Sequence, residues 1–410
     1  MTCRHKPPKT QSGLGSLSVP YSLWRNISSI LIKKYIEYIV LLIFVTLLKI
    51  KNYLVNAYDG FNVSQGKPPK SEIRKVQLTG GSTYIVSLPK KWVNEHGLVA
   101  KDQVRIEWRP SGTLRIVPEA TSLVRKRVVE LDLSKIPDEM VHDHLVGSYL
   151  AGSQVIKIKS QKGFERNHRK TFRKFINSTR GVEISAESES SIEMINLLNP
   201  SEMPLYSSLN RMYLLISSQI RDVIDVLSGG DKEILEDCHD REQEVDAIRL
   251  LLERQVGQIL ESASIEDSLG TSRWEASGIG KVVRTLERMG DHSYALCKLT
   301  LDRSSDSPLS IDSMPMSSTQ VWQSSIKLLI SNLRRRKISE IHSAKGQLLG
   351  TLKDLENFEI ALITSDLDSS EALFFYRISE SLRRMCAYSI NMGEELLNIQ
   401  SHRDSIEITE

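Results

Sequence analysis

The feature that most constrains the fold lies in the second half of the chain, where two sets of three helical segments flank the serine- and proline-rich stretch "RSSDSPLSIDSMPMSS" (303–318). In the first set, "MYLLISSQIRDVIDVL" (212–227) runs to the stop at Gly229-Gly230. Asp231 is the expected N-cap of a long helix reaching about Ser262, and a third helix covers about Ser272 to Asp302. The second set is expected over Ser317 to Arg335, Ile338 to Ile363 and Ser369 to Gln400. The two sets align with each other. "TLERMGDHSYAL" (285–296) lies over "SLRRMCAYSINM" (381–392), with Leu286 over Leu382 and Met289 over Met385. "EILEDCHDREQEVDAI" (233–248) lies likewise over "KISEIHSAKGQLLGTL" (337–352). An internal duplication into two similar bundles follows.

The first set carries two acidic pairs, Glu242 with Asp246 in "EQEVD" and Glu287 with Asp291 in "ERMGD". The i, i+4 spacing stacks each pair on one helix face. Four carboxylates on adjacent antiparallel helices repel one another, and a hard or borderline cation relieves that repulsion. The same spacing also fits a solvated acidic stripe paired with Lys and Arg. Asp240, Glu244, His239 and His292 are candidate supplementary ligands.

These motifs resemble the PhoU family, which consists of two three-helix repeats, each carrying E/DxxxD motifs. The resemblance implies a metal-cluster binder, with iron, zinc or magnesium as the ion. The second repeat (315–400) departs from the pattern. Arg383 and Ala387 stand opposite Glu287 and Asp291, and Gly346 and Gly350 opposite Glu242 and Asp246, so that half is expected to bind no metal.

Upstream, "RKVQLTGGSTYIVSLPKKW" (74–92) reads as a strand over 73–78, a tight turn at Gly80-Gly81, a second strand over 83–88 and a short helix from Pro89 to about Glu95 closed by Gly97. A second hairpin is expected over 103–108 and 113–117. This order, with Arg74-Lys75, the "GGS" turn, "IVSLPKKWV" and "AKDQVRI", resembles the AbrB/MazE/SpoVT family of swapped-hairpin DNA-binding domains over about residues 71–120. The resemblance implies that two chains interlace strands and present basic side chains to duplex DNA. Arg74, Lys75, Lys90 and Lys91 are the candidates for phosphate contacts, and Gln77, Thr79, Ser82 and Tyr84 for groove contacts. So small a sheet has few core positions, which gives a physical reason to form a homodimer.

Between these segments, residues 121–204 alternate strand and helix patterns and read as a small α+β domain. Its "KGFERNHRKTFRKF" (162–175) is strongly basic, with Phe172 and Phe175 interleaved, and fits an exposed helix face better than a nucleic-acid contact. His142 and His144 sit two apart and make a poor metal pair. The expected fold class is therefore multidomain α+β: a swapped-hairpin β domain, the middle α+β segment and an all-α bundle of two three-helix repeats.

Charge is concentrated at one end. Residues 1–70 carry ten Lys/Arg against Glu37 and Asp59, a net of +8, whereas the whole chain carries +3, leaving −5 for the remainder. Within this extension the apolar run in 31–55 has only 11 charge-free residues, Tyr38 to Leu48, short of the roughly 20 a spanning helix needs. It reads as a membrane-surface or anchor segment, or as a weakly ordered extension outside the mature protein. Four scattered cysteines, Cys3, Cys238, Cys297 and Cys386, fit a reducing cytosol and neither a disulfide framework nor a cysteine zinc site.

No nucleophile triad, Walker loop or dinucleotide-binding glycine motif occurs, so no catalysis is expected. The fusion of the two modules resembles archaeal phosphate-uptake regulators. That resemblance implies a DNA-binding transcriptional regulator whose bundle senses phosphate status through a transporter or kinase. The alternative is a non-DNA-binding adaptor, tethered through 31–55, that acts on a phosphate transporter.

Overall fold

The computed structural model describes residues 72–108, 113–118, 126–199, 204–303 and 307–405. The basic extension and its apolar run fall outside them. The chain divides into two units, Met1–Glu95 and His96–Glu410.

In the first unit, β1 (Gln77–Thr79) pairs antiparallel with β2 (Thr83–Ile85), in the register Gln77 to Ile85, Leu78 to Tyr84 and Thr79 to Thr83. Gly80 and Gly81 turn the chain with φ of 65° and 84°, a conformation costly for other residues. The strands are shorter than the sequence pattern suggests, and Arg74 and Lys75 precede β1. The helix α1 (Lys90–Glu95) follows Pro89, as expected from the proline.

The second unit opens with β3 (Val104–Trp108) paired antiparallel with β4 (Leu114–Pro118). A four-stranded sheet follows, in the order β5 (Val128–Asp132), β6 (Val155–Lys159), β8 (Ser191–Asn196), β7 (Val182–Glu187). β5 and β6 are parallel and the other pairings antiparallel. The helices α2 (Val141–Leu150) and α3 (Arg166–Ser178) share its core, where Leu145, Tyr149, Ile158, Phe175, Ile192 and Met194 are buried. Phe172 and Phe175 belong to this core, so the interleaved aromatics of the basic helix serve packing and its lysines and arginines face outward. Burying one such ring contributes about 1.5–3 kcal/mol.

The remainder is helical: α4 (Leu205–Leu227), α5 (Cys238–Glu261), α6 (Ala263–Leu269), α7 (Arg273–Leu301), α8 (Ser317–Arg335), α9 (Ile338–Leu362) and α10 (Ser369–Asp404). One continuous core runs through both three-helix sets, from Leu209 and Ile216 to Trp322, Leu382 and Met385. Buried polar side chains link its helices. Gln219 on α4 donates to the Cys238 carbonyl at 3.1 Å and accepts from Ser293 on α7 at 2.8 Å, tying three helices together. Trp322 Nε1 donates to Ser389 Oγ at 3.0 Å.

Three elements differ from the sequence expectation. Asp231 accepts from the Glu233 amide and caps a one-turn 3-10 helix, Lys232–Leu235, so the long helix starts only at Cys238. The short α6 fills the connection to α7 and ends at Gly270, whose φ of 58° is left-handed. The strand β8 is an addition to the expected pattern, and in it buried Ile192 and Met194 alternate with exposed Ser191 and partly buried Glu193. No helix among the described residues is long and apolar enough to cross a membrane.

Candidate functional site

Two sets of candidate residues can be followed from sequence to structure. In the β1–β2 hairpin, alternation divides the proposed groove contacts between faces. Gln77 and Thr79 share one face with Thr83 and Ile85, whereas Tyr84 shares the other with Leu78. Ser82 lies in the turn. All of them are exposed, with Tyr84 at 73%. Lys90 and Lys91 open α1 and are also exposed, and Lys91 Nζ lies 3.7 Å from Glu95. Arg74 pairs with Glu72. Apolar residues are exposed as well, including Ile73, Val76, Leu78 and Val86. A two-stranded ribbon with no buried residue is marginal by itself in water, so its apolar surface calls for a covering partner.

The second set lies in the bundle. Glu242 and Asp246 on α5 face Glu287 and Asp291 on α7, because the two helices approach closely beside them. A Cβ added at Gly290 would lie 3.0 Å from Val245 Cγ1, so glycine at 290 permits the approach and brings the neighbouring Asp291 and Asp246 into electrostatic contact. Burial, then repulsion from Asp246 and Asp291, raises Glu242 above the ordinary carboxylate range. Burial also raises Glu287, with Asp291 and Asp246 adding to the effect and Arg249 and Arg284 opposing it. Asp291 reaches solvent, yet partial burial and the charge of Asp246 raise it too.

Arg249, one turn beyond Asp246, was not singled out from the sequence. Its Nε lies 3.3 Å from Glu287 and 3.8 Å from Asp246, and its Nη1 3.2 Å from Glu253. The guanidinium therefore supplies part of the positive charge that the acids demand. Its position at i+3 from Asp246 and i+7 from Glu242, on the same helix face, was a legible signal.

Of the supplementary candidates, His239 Nδ1 approaches Glu242 at 3.8 Å and its ring packs 5.7 Å from Tyr294. Glu244 is bound instead by Arg211 at 3.0 Å and Arg180 at 3.4 Å, which lowers its pKa. His292 packs 5.9 Å from Tyr388 on α10, and burial lowers its pKa. Asp240 is exposed at the start of α5. Among the described residues, no three His, Cys, Asp or Glu side chains converge in a metal-holding arrangement. The donor set is all-oxygen and electron-rich, as a hard cation requires; what differs is convergence, with Arg249 standing between two of the four acids.

In the second repeat, Arg383, the counterpart of Glu287, forms an ion pair with Glu359 on α9 at 3.0 Å. A Cβ at Gly346 or Gly350 would meet nothing within 4 Å. That half has replaced repulsion with an internal salt bridge.

Comparison with known proteins places these features. Residues 209–300 match the family model described as the PhoU domain, which spans the first three-helix set from within α4 to the end of α7. Residues 77–123 match the model described as "Antidote-toxin recognition MazE, bacterial antitoxin". No curated protein matches the chain. Among solved structures, PhoU from Pseudomonas aeruginosa is 16% identical, with a TM-score of 0.41, covering 48% of this chain and 96% of its own. The phosphate transport system regulatory protein PhoU from Streptococcus pneumoniae is 19% identical, with a TM-score of 0.39, covering 50% and 96%. The chain is thus similar to the PhoU domain over residues 209–300 and, upstream of it, to the MazE antitoxin model over residues 77–123.

Proposed function

We propose that the protein is a cytoplasmic, DNA-binding regulator of phosphate uptake that works as a homodimer through its MazE-type domain, with the PhoU helices as its sensor. The observation that carries this reading is the β1–β2 hairpin with α1. It displays Lys90, Lys91, Gln77 and Thr79 to solvent together with apolar residues that a second copy would cover. Two copies double the number of basic side chains available to phosphates, and backbone contacts of this kind dominate affinity for duplex DNA. The bundle contributes a cluster of half-buried acids that respond to any cation or proton, with a phosphate transporter or signalling kinase as the upstream contact. A metal at Glu242, Asp246, Glu287 and Asp291 would supply charge neutralisation and lock α5 against α7. The function is regulatory and not catalytic.

The test is binding of the full chain to promoter duplexes at several salt concentrations. The expected result is dimeric binding whose affinity falls steeply with salt, with a shallower slope for Lys90→Ala with Lys91→Ala. A monomer indifferent to duplex DNA at low salt would overturn the reading, and membrane association under those conditions would favour an adaptor. Elemental analysis addresses the metal separately. Stoichiometric metal that is lost in Glu287→Ala with Asp291→Ala is expected, and a metal-free wild-type protein would reject that part.

A further inference from the structure

We propose that the groove between α4 and α8 binds a linear polyphosphate chain, free or as part of a nucleoside polyphosphate. The inference goes beyond the DNA-regulator reading and does not depend on it. The groove has a volume of about 1010 Å³, at the upper end of small-molecule sites. Its lining includes the cations Arg221, Lys327 and Arg334 and no carboxylate. Among the described residues none of the three forms an ion pair. Arg221 donates to Ser217 Oγ at 3.1 Å, and Arg334 stands 5.4 Å over the Tyr206 ring. Unpaired guanidinium and ammonium groups gathered in a concave surface raise the local concentration of anions.

The spacing selects the shape of the anion. Tyr206, near the start of α4, meets Arg334, near the end of α8, so the helices run antiparallel along the groove. At 1.5 Å per residue, Lys327 and Arg334 are about 10 Å apart along α8, and Tyr206 and Arg221 about 22 Å apart along α4. The three charges therefore follow one another at intervals of about 10 Å. One orthophosphate reaches only one of them, whereas a phosphate chain reaches successive ones. A further donor waits in the wall. Gln323 lines the groove, and its Nε2 is buried without a hydrogen-bond partner among the described residues. Leaving a buried donor unsatisfied is costly, and a phosphoryl oxygen would satisfy it.

The experiment is calorimetric titration of the full chain with tripolyphosphate, ATP, orthophosphate and hexaglutamate. Tripolyphosphate is expected to bind, orthophosphate to bind at least tenfold more weakly, and Lys327→Gln with Arg334→Gln to weaken tripolyphosphate at least tenfold. Lys90→Ala with Lys91→Ala, which alters the other basic surface, is expected to leave this binding unchanged. ATP binding as tight as or tighter than tripolyphosphate assigns the chain to a nucleotide, and preference for tripolyphosphate assigns it to the free polymer. Arg221→Gln, at the far end of the groove, and Gln323→Leu give independent variants should the double variant misfold. No binding of either polyphosphate, binding that survives all these groove variants, or equally tight hexaglutamate would overturn the proposal.

Discussion

Arg249 on α5 reaches toward α7 and places its Nε 3.3 Å from the Glu287 carboxylate, inside the acidic cluster between the two helices. An internal guanidinium and an external cation answer the same electrostatic demand, so they compete. In chelator-treated protein, Arg249→Gln leaves Glu287, Asp246 and Glu253 without their common partner. The expected loss is about 1–3 kcal/mol, below the full cost of breaking a wholly buried pair because solvent reaches the cluster. Metal titration of the same variant is expected to show tighter binding than wild type. Thermal melts with and without chelator check both halves, and an Arg249→Gln protein as stable as wild type in chelator would remove Arg249 from the account.

The cluster also fixes the sign of a pH effect. Glu242 and Asp291 hold their protons more tightly folded than unfolded, since burial and neighbouring acids raise both. The native state is therefore favoured on the acid side, and that contribution is lost as pH rises from the unfolded value, about 4, through the raised folded value. Glu242→Gln with Asp291→Asn, which leaves Glu287 to Arg249, is expected to stabilise the chelator-treated protein at pH 7. Screening limits the gain to at most about 1 kcal/mol. Melts from pH 7 down to about 4 should show the gain shrinking, and a gain that grows toward acid would reverse the assignment.

Much of this was legible in the sequence where the signal was periodic and local. The acidic pairs at i, i+4, the glycine turn of the hairpin and the two three-helix sets each depend on residues close together in the chain. Asp231 was misread because capping chemistry is the same for a 3-10 turn and an α-helix; only the following residues decide which continues. The strand "SIEMIN" carried its period-two signal in plain view, with Ile192 and Met194 inward. The groove between α4 and α8 was not legible, because it joins Tyr206 to Arg334 across most of the bundle and depends on how the two repeats are set against each other. The approach of α5 and α7 at Gly290 and Val245 is likewise tertiary, although the glycine in "ERMGD" marked the place.

The cysteines invite a chemical test. Cys238, Cys297 and Cys386 are buried and free. Burial raises all three thiols, Cys297 and Cys386 to about 12. The thiolate is the reactive species, so the folded protein at pH 8 is expected to take up iodoacetamide at these positions far more slowly than the urea-unfolded chain. Mass spectrometry of the labelled peptides reads this directly. Rapid labelling of Cys297 in the native state would contradict the packing of α5 against α7.

The middle sheet must be held to the bundle for any signal to pass along the chain, and Arg254 does much of that holding. It is a buried arginine on α5, 4% exposed. Its guanidinium donates to the Tyr149 carbonyl and, at 2.9 Å, to the Ser153 carbonyl, and it lies 4.9 Å over the Tyr149 ring. Burial lowers its pKa, so the site tolerates the charge only because both carbonyls and the ring face it. Leu250, one turn earlier on α5, enters the hydrophobic core of the sheet domain. Arg254→Met keeps the length of the side chain but leaves two carbonyls without their donor, and about 2–4 kcal/mol of stability is expected to be lost. Arg254→Lys should recover little, because one ammonium cannot span both carbonyls while lying flat on the ring. Hydrogen exchange gives the decisive readout. In Arg254→Met, amides of β5, β6 and α2 should exchange faster while those of α8 and α10 keep their protection, whereas uniform loss of protection across the chain would mean that Arg254 serves global stability and not the docking of the sheet domain.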